Sequence, residues 1–253
     1  MKPSRLVLLA VLPLLFSCAA LKPEIPLTEF PPGPLVQALA RRAGAFSTLK
    51  SVATIELARK EHRRYFDSAG VVVKGRDRFR IEAYNPLGQT VALLVWDGRD
   101  VTFDLEGTQR VLPNGAGLER FLGSDVEPGD LADILAGNIP GMGRVTSAKL
   151  RCAESGACLL DLYATKDTLI RVRPAAGKEP TGAPVRSCEV LRKGSLLYQV
   201  RYEVEREIAG YVLPTRIIVE NPDKQVSLTI QYADPEVNVP VDEHAFELPG
   251  VGE

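Results

Sequence analysis

RFRIEAYNPLGQTVALLVWDG, residues 78–98, decides how this chain is read. Phe79, Ile81 and Ala83 alternate with Arg78, Arg80 and Glu82, the two-residue period of a half-buried strand. VALLVWDG, residues 91–98, is a second strand-like run and is apolar on both faces. Between the two lies YNPLGQT, Tyr84–Thr90. Asn bonds its own backbone, Pro fixes φ and Gly admits positive φ, so all three favour a reversal. The segment therefore reads as a β-hairpin. Leu87 is then out of place, because turn tips face water and are usually polar or glycine-rich. Either it folds back onto a neighbouring element or it is displayed for a purpose.

Working outward, the same short period recurs. SVATIELARK, RRYFDSAGVVVKG, DVTFDL and TQRVLP surround the hairpin. SAKLRC, CLLDLYAT, TLIRVRP, CEVLRKG, LLYQVRYEVERE, YVLPTRIIVEN and QVSLTIQYA follow. Strands this closely spaced, with turn residues between them, form antiparallel meanders. About ten or eleven antiparallel strands are expected. Ahead of them, residues 34–50 (PLVQALARRAGAFSTLK) read as a helix, with Leu35, Ala38, Leu39 and Phe46 at helical spacing and Pro34 in its first turn. Midway, NGAGLERFLGSD and EPGDLADILAGN offer two short helices. Asn114 would cap the first and Gly123 stop it; Pro128 would start the second and Gly137 stop it. The tail PVDEHAFELPG is expected to be pinned by Phe246 and Leu248. A sheet of this size curls or closes, and a curled sheet with helices over its mouth holds an apolar pocket. Alternation alone nominates Phe79, Ile81, Leu93 and Val95 as pocket residues. The two-sided run VALLVW leaves their inward orientation open.

The N-terminus is of another kind. MKPSR carries Lys2 and Arg5, Leu6–Phe16 is apolar, and SCAA closes the segment with small residues. That is the layout of a secretory signal. The apolar run is too short to span a bilayer and is broken by Pro13. Leu15-Phe16-Ser17-Cys18 resembles the bacterial lipobox, which implies cleavage before Cys18 and lipidation of its thiol. An ordinary signal peptide that contains a cysteine is the plainer alternative. Residues 1–17 are thus assigned to the signal and 18–33 to the lipidated cysteine and a tether. Residues 34–253 form one domain. The tether carries Pro23, Pro26, Pro31 and Pro32, and in polyproline geometry fifteen residues reach roughly 45 Å. By resemblance to bacterial lipoproteins, Ala19 directs the product to the outer membrane, facing the periplasm.

Charge excludes some functions. Removing residues 1–17 takes Lys2 and Arg5 from 31 basic residues, leaving 29 against 32 acidic ones, a formal charge of −3. No clustered basic surface of the kind nucleic acid requires is evident. No nucleophile elbow, zinc-protease motif, phosphate loop or dinucleotide fingerprint is present. His62, in RKEHRR, and His244 stand far apart, and His62 reads as a solvated strand end. No metal, cofactor or catalytic group is nominated, and an enzyme is not expected. Tyr84 and Trp96 could mark an interfacial belt, or be ordinary aromatics on a half-buried strand. Cys152 and Cys158, in LRCAESGACLL, would face each other across a hairpin and could pair in an oxidising compartment. A zinc site is the competing reading, poor for want of nearby ligands. Cys188 is left over, as a small buried hydrophobe or an alternative disulfide partner.

The lipobox, the helix, FRIEAYNPLGQTVALLVWDGRDVTFDLEGTQR and an insertion ending in DLADILAGNIPG together resemble the LolB family of outer-membrane lipoprotein receptors. The likeness runs from about Phe46 to Gly143. It implies an incomplete antiparallel β-barrel under a helical lid, the fold shared with the periplasmic carrier LolA. It also implies a monomer without cofactor or nucleotide, which accepts acylated lipoproteins from a LolA-like carrier. The cargo is then released into the inner leaflet of the outer membrane. The family's protruding loop maps onto Pro86, Leu87 and Gly88, with Leu87 implicated in passing cargo to the membrane. The AAGKEPTGAP loop and the Cys152/Cys158 hairpin depart from the family pattern. They leave room for a carrier of another lipid, or a non-enzymatic envelope-assembly subunit.

Overall fold

The computed structural model describes residues 27–116, 118–122, 125–175 and 184–248. Cys18, the signal, Gly123 and most of the AAGKEPTGAP loop lie outside the described residues. Strand β1 (Leu27–Phe30) precedes helix α1 (Gly33–Gly44). Six strands follow: β2 (Thr48–Arg59), β3 (His62–Lys74), β4 (Arg78–Tyr84), β5 (Thr90–Trp96), β6 (Asp100–Leu105) and β7 (Thr108–Pro113). Helices α2 (Glu119–Leu122) and α3 (Pro128–Leu135) interrupt them. The chain then returns to strand in β8 (Ser147–Ala153), β9 (Cys158–Tyr163), β10 (Thr168–Pro174) and β11 (Val185–Arg192). It ends in β12 (Ser195–Ile208), β13 (Tyr211–Asn221), β14 (Val226–Tyr232) and the short β15 (Glu236–Val237).

All fifteen strands among the described residues join one antiparallel sheet, in the order β1-β8-β9-β10-β11-β12-β13-β14-β2-β3-β4-β5-β6-β7, with β15 beside β2. Strands β1 and β7 do not pair with each other, so the barrel stays incomplete. The fold is the mainly β, helix-covered half-barrel that the sequence implies, with more strands than the ten or eleven expected. Strand β1 shows why some were missed. LTEF, lying between prolines, carries no burial signal, and all four residues are exposed. It is a strand because Leu27 to Phe30 pair with Ala153 to Leu150 of β8. Residues 27–30, read above as tether, are therefore part of the sheet.

Helix α1 is shorter than expected. It stops at Gly44 with Arg41 and Arg42 in its last turn, where cations suit the negative end of the helix dipole. Thr48–Lys50 already belong to β2. Leu35, Ala38 and Leu39 are the buried stripe, and Phe46 packs on Tyr211 with ring centroids 5.6 Å apart. Asn114 does not cap a helix: Asn114 and Gly115 both have positive φ and turn the chain before α2. Helix α3 starts at Pro128, as read from the sequence, and ends at Leu135 with Ala136 as its cap, so the expected stop at Gly137 lies just past the helix. Gly137 has φ +71°, and a Cβ there would stand 2.3 Å from Pro214 Cδ, so both the turn and the packing demand glycine.

The connectivity defines two ends of the half-barrel. The turns after β2, β4, β6 and β13 (residues 60–61, 85–89, 106–107 and 222–225) all lie at one end. The start of β2 and the start of β13 lie at the other, where Phe46, two residues past the end of α1, packs on Tyr211.

Candidate functional site

Alternation along β2 to β5 sorts side chains between two faces. In the β4–β5 ladder Phe79 pairs with Trp96, Ile81 with Leu94 and Ala83 with Ala92, and these six face inward. Arg80 pairs with Val95, and Glu82 with Leu93, on the outer face. Phe79 is fully buried against Trp96, with centroids 5.9 Å apart, and Trp96 in turn lies under Gly129 at the start of α3. Trp96 is thus a core residue rather than part of an interfacial belt.

Toward the end bearing the 85–89 turn the inner face is not filled. Leu57, Phe66, Ile81 and Phe103 point inward yet stay half-buried, and they border a cavity of about 600 Å³. Leu122 of α2 and Leu131 of α3 also line it. The volume lies within the usual range for small-molecule sites, and the wall is apolar as such sites are. Four basic residues, Arg59, His62, Arg63 and Arg64, complete the lining at the β2–β3 hairpin. His62 is exposed there, as its sequence context suggested.

Of the four pocket residues nominated from alternation, Ile81 lies in the cavity wall and Phe79 lies deeper, in the core under α3. Val95 is not a cavity residue. It belongs to a separate outer cluster with Leu93 and Phe246. Leu93 borders the cavity, but its side chain packs in that same outer cluster. The reason is the C-terminal tail, which lies on the outer face of β3–β5. Phe246 is 4% exposed, and Arg80 Nη1 donates to the carbonyls of Ala245 and Glu247. A strand covered on both faces has no polar side to reveal its orientation.

Helix α3 is held firmly. The four last carbonyls of a helix lack partners within it. Here tyrosines from the sheet supply donors. Tyr232 Oη donates to Leu135 O at 2.9 Å and Tyr211 Oη to Ala136 O at 2.8 Å, while Tyr202 Oη reaches Asn138 O. Two buried carboxylates anchor the other side. Asp130 accepts from Arg144 Nη2 at 2.9 Å and from Tyr198 Oη at 3.1 Å. Asp133 accepts from Arg76 Nη2 at 2.6 Å. Burial pushes the Asp133 carboxyl up to about 6 against the pull of Arg76, and raises Asp130 in the same direction.

The Tyr84–Thr90 loop is ordered by one side chain. Asn85 Oδ1 accepts from the backbone N–H of Leu87 at 2.9 Å and of Gln89 at 3.0 Å. Gly88 N–H closes the turn on Asn85 O at 2.9 Å, and Gly88 takes φ +79°. Asn first, Pro second and Gly fourth are the preferences of this turn. Leu87 does not fold back: it is 83% exposed, against 67% for Val204, the next most exposed large apolar residue among those described. It stands at the same end as the cavity mouth.

Elsewhere, Cys152 and Cys158 are joined by a disulfide at the β8–β9 tip, and Cys188 is a buried free thiol whose pKa burial pushes up. His244 is exposed beside Glu247. No cluster of metal-ligating side chains occurs among the described residues. The residues that sequence reasoning passed over are Arg59, Arg63 and Arg64. The run RKEHRR was the available signal, read only as a solvated hairpin end.

No family model and no curated protein matches the sequence. Solved structures do match in fold. A DUF1329 family protein from Desulfovibrio piger superposes with TM-score 0.61 at 14% identity, over 86% of this chain and 97% of that one. A domain described as an outer membrane lipoprotein-sorting protein, from Vibrio parahaemolyticus, gives 0.59 at 14% identity over 84% and 94%. A LolA superfamily protein from Nitrosomonas europaea gives 0.56 at 17% identity over 84% and 97%. At these identities the likeness is one of fold, and the chain has the fold of LolA-superfamily proteins.

Proposed function

We propose that the protein is a lipid-anchored receptor of the LolB kind, which takes acylated lipoproteins from a LolA-like periplasmic carrier. It would hold their acyl chains in the half-barrel cavity and release them into the inner leaflet of the outer membrane. Cys18 carries the anchor, and the body faces the periplasm. The protein acts by binding, without cofactor or covalent chemistry. The observation that supports this best is the placement of an unfilled apolar cavity and the exposed Leu87 at one end of the sheet. An acyl chain leaving the cavity emerges beside a side chain able to enter a bilayer, where each buried methylene contributes about 0.8 kcal/mol. Sorting of lipoproteins by a protein of this fold, in the Vibrio neighbour's description, agrees with the reading.

The test is a transfer assay. Radiolabelled acylated lipoprotein bound to the soluble carrier is mixed with liposomes, with and without this protein. The reading expects label to pass first to the protein and then to liposomes. It fails if the protein neither takes label from the carrier nor speeds its arrival in the membrane. A carrier of another apolar ligand is the second reading, favoured by the basic residues at the cavity mouth.

A further inference from the structure

We propose that the acyl ligand of this cavity bears an anionic head, of phosphate type, which sits among Arg59, His62 and Arg64. The inference rests on the second reading above, a carrier of an acyl ligand other than a lipoprotein, and specifies the polar end of that ligand. Four observations carry it.

First, the wall is one-sided in charge. The described residues that line the cavity include no carboxylate, and their charged groups are the basic residues of the β2–β3 hairpin. An apolar chamber with a cationic mouth suits an amphiphile with a negative head.

Second, those cations are incompletely neutralised. Arg63 turns to the outer face, where it meets Glu56 at 3.0 Å, whereas Arg64 lies 3.5 Å from Glu106, beyond a tight ion pair. Arg59 has no ion-pair partner among the described residues. Arg guanidinium groups present paired donors that match phosphate oxygens.

Third, the hairpin extends past its neighbour. Strand β4 ends at Tyr84, opposite Ser68, so residues 62–67 of β3 run beyond it, and 62–66 pair only with β2 on their other side. Six residues at about 3.3 Å each make an overhang of roughly 20 Å. Arg64 on this overhang nonetheless reaches Glu106 in the β6–β7 turn, so the basic strand passes over the mouth formed by the shorter β4 and β5.

Fourth, the chemistry is local. The chain as a whole is slightly acidic, with formal charge −1. Five of the six residues 59–64 are nevertheless basic or His, only Glu61 being acidic.

The test uses the full chain with Cys18→Ala, so that its own anchor does not compete. It is incubated with vesicles holding equal amounts of dioleoyl phosphatidylglycerol and dioleoyl phosphatidylcholine, whose acyl chains are the same. The protein is then re-isolated and its retained lipid measured by native mass spectrometry. Wild type is expected to retain the anionic lipid over the zwitterionic one by about tenfold, the size of one good charged contact. The Arg59→Gln/Arg64→Gln variant should bring the ratio near unity while keeping total acyl lipid, and Ile81→Trp should lose both lipids. Circular dichroism melts check that each variant folds. A salt series on wild type, from about 0.05 to about 0.5 M, should lower the anionic preference without any variant.

Equal retention of the two lipids by wild type overturns the anionic head and leaves the acyl-chain cavity standing. Retention of neither lipid overturns the cavity reading itself. An anionic preference that survives Ile81→Trp, with protein held on vesicles, moves anion recognition to a membrane surface and also overturns the inference. So does displacement of bound lipid by inorganic phosphate at equal concentration, because the acyl chain would then be dispensable.

Discussion

Asp133 and Arg76 meet at 2.6 Å across the boundary of the core: the carboxylate side chain is 2% exposed and the guanidinium 44%. Each desolvated charge is costly, and a half-solvated partner offsets only part of that cost. Burial therefore prevails and holds the Asp133 pKa near 6. A folded pKa above the unfolded one means that the native state binds the proton more tightly. Stability should then rise as pH falls from about 6 toward about 4, by on the order of 2 kcal/mol from this group. Asp130, raised for the same reason, adds in the same direction. Urea titrations at pH 7, 6 and 5 should show the trend, and Asp133→Asn should flatten part of it. A wild-type protein that loses stability over that window as pH falls would contradict the assignment.

The tyrosine clamp on α3 makes a second prediction. Tyr232 Oη donates to the carbonyl of Leu135, a helix-end acceptor buried away from water. Tyr232→Phe removes the donor and leaves that acceptor unpaired, which costs about 1–3 kcal/mol. Native-state hydrogen exchange should localise the loss to α3 and its exit at 136–139, with β4–β5 amides much less affected. A uniform effect across the sheet would mean that the helix is not held where the bonds place it.

How much of this was legible in the sequence depends on whether a residue's environment is local. Phe79, Ile81 and Ala83 alternate with charged neighbours, so their face is written in the strand itself. Leu93 and Val95 sit in VALLVW, where apolar residues cover both faces, and only the return of Phe246 from the far end of the chain separates them. Strand β1 exists because β8 is adjacent, and LTEF carries no trace of that. The Asn85 turn was legible because its hydrogen bonds stay within five residues. The Arg59–Arg64 run was visible as charge, but its position at a cavity mouth required the curl of the sheet.

The outer cluster predicts a clean separation of stability from binding. Val95 is 2% exposed and packs with Phe246 on the face away from the cavity. Val95→Ala should cost about 2 kcal/mol by lost burial and an imperfectly closed void. Retained acyl lipid per folded molecule should be unchanged. If lipid retention falls in proportion to nothing but the Val95 change, with stability intact, the face assignment is wrong.

The disulfide should matter modestly. Cys152 and Cys158 are six residues apart and face each other in the β8–β9 register. Closing so short a loop constrains the unfolded chain by roughly 2 kcal/mol in the chain-entropy picture. The pair also sits at the end of the sheet opposite Leu87. The Cys152→Ser/Cys158→Ser variant should therefore melt a few degrees lower yet transfer cargo at the wild-type rate. Free-thiol counting on the denatured, unreduced protein should find one thiol from the described residues, that of Cys188.

Leu87 carries the sharpest functional prediction. Its loop is ordered by Asn85 and Gly88, so the leucine is held out rather than left loose. Being 83% exposed, it contributes little to the core, and Leu87→Glu should change stability by no more than about 0.5 kcal/mol. Cargo acceptance depends on the cavity and should persist. Release should slow, because a carboxylate at the tip resists entering the hydrocarbon layer and is repelled by anionic headgroups. In the transfer assay this variant should accumulate labelled lipoprotein on the protein and pass it slowly to liposomes, whereas Leu87→Phe should restore passage. Two controls give the result its meaning. Asn85→Ala keeps the leucine but frees the loop, and should fall between wild type and Leu87→Glu if the held-out geometry matters. Val204→Glu alters another exposed apolar residue, 67% exposed on β12, and should leave transfer untouched. Wild-type release by Leu87→Glu would remove the loop from the mechanism and leave only the cavity.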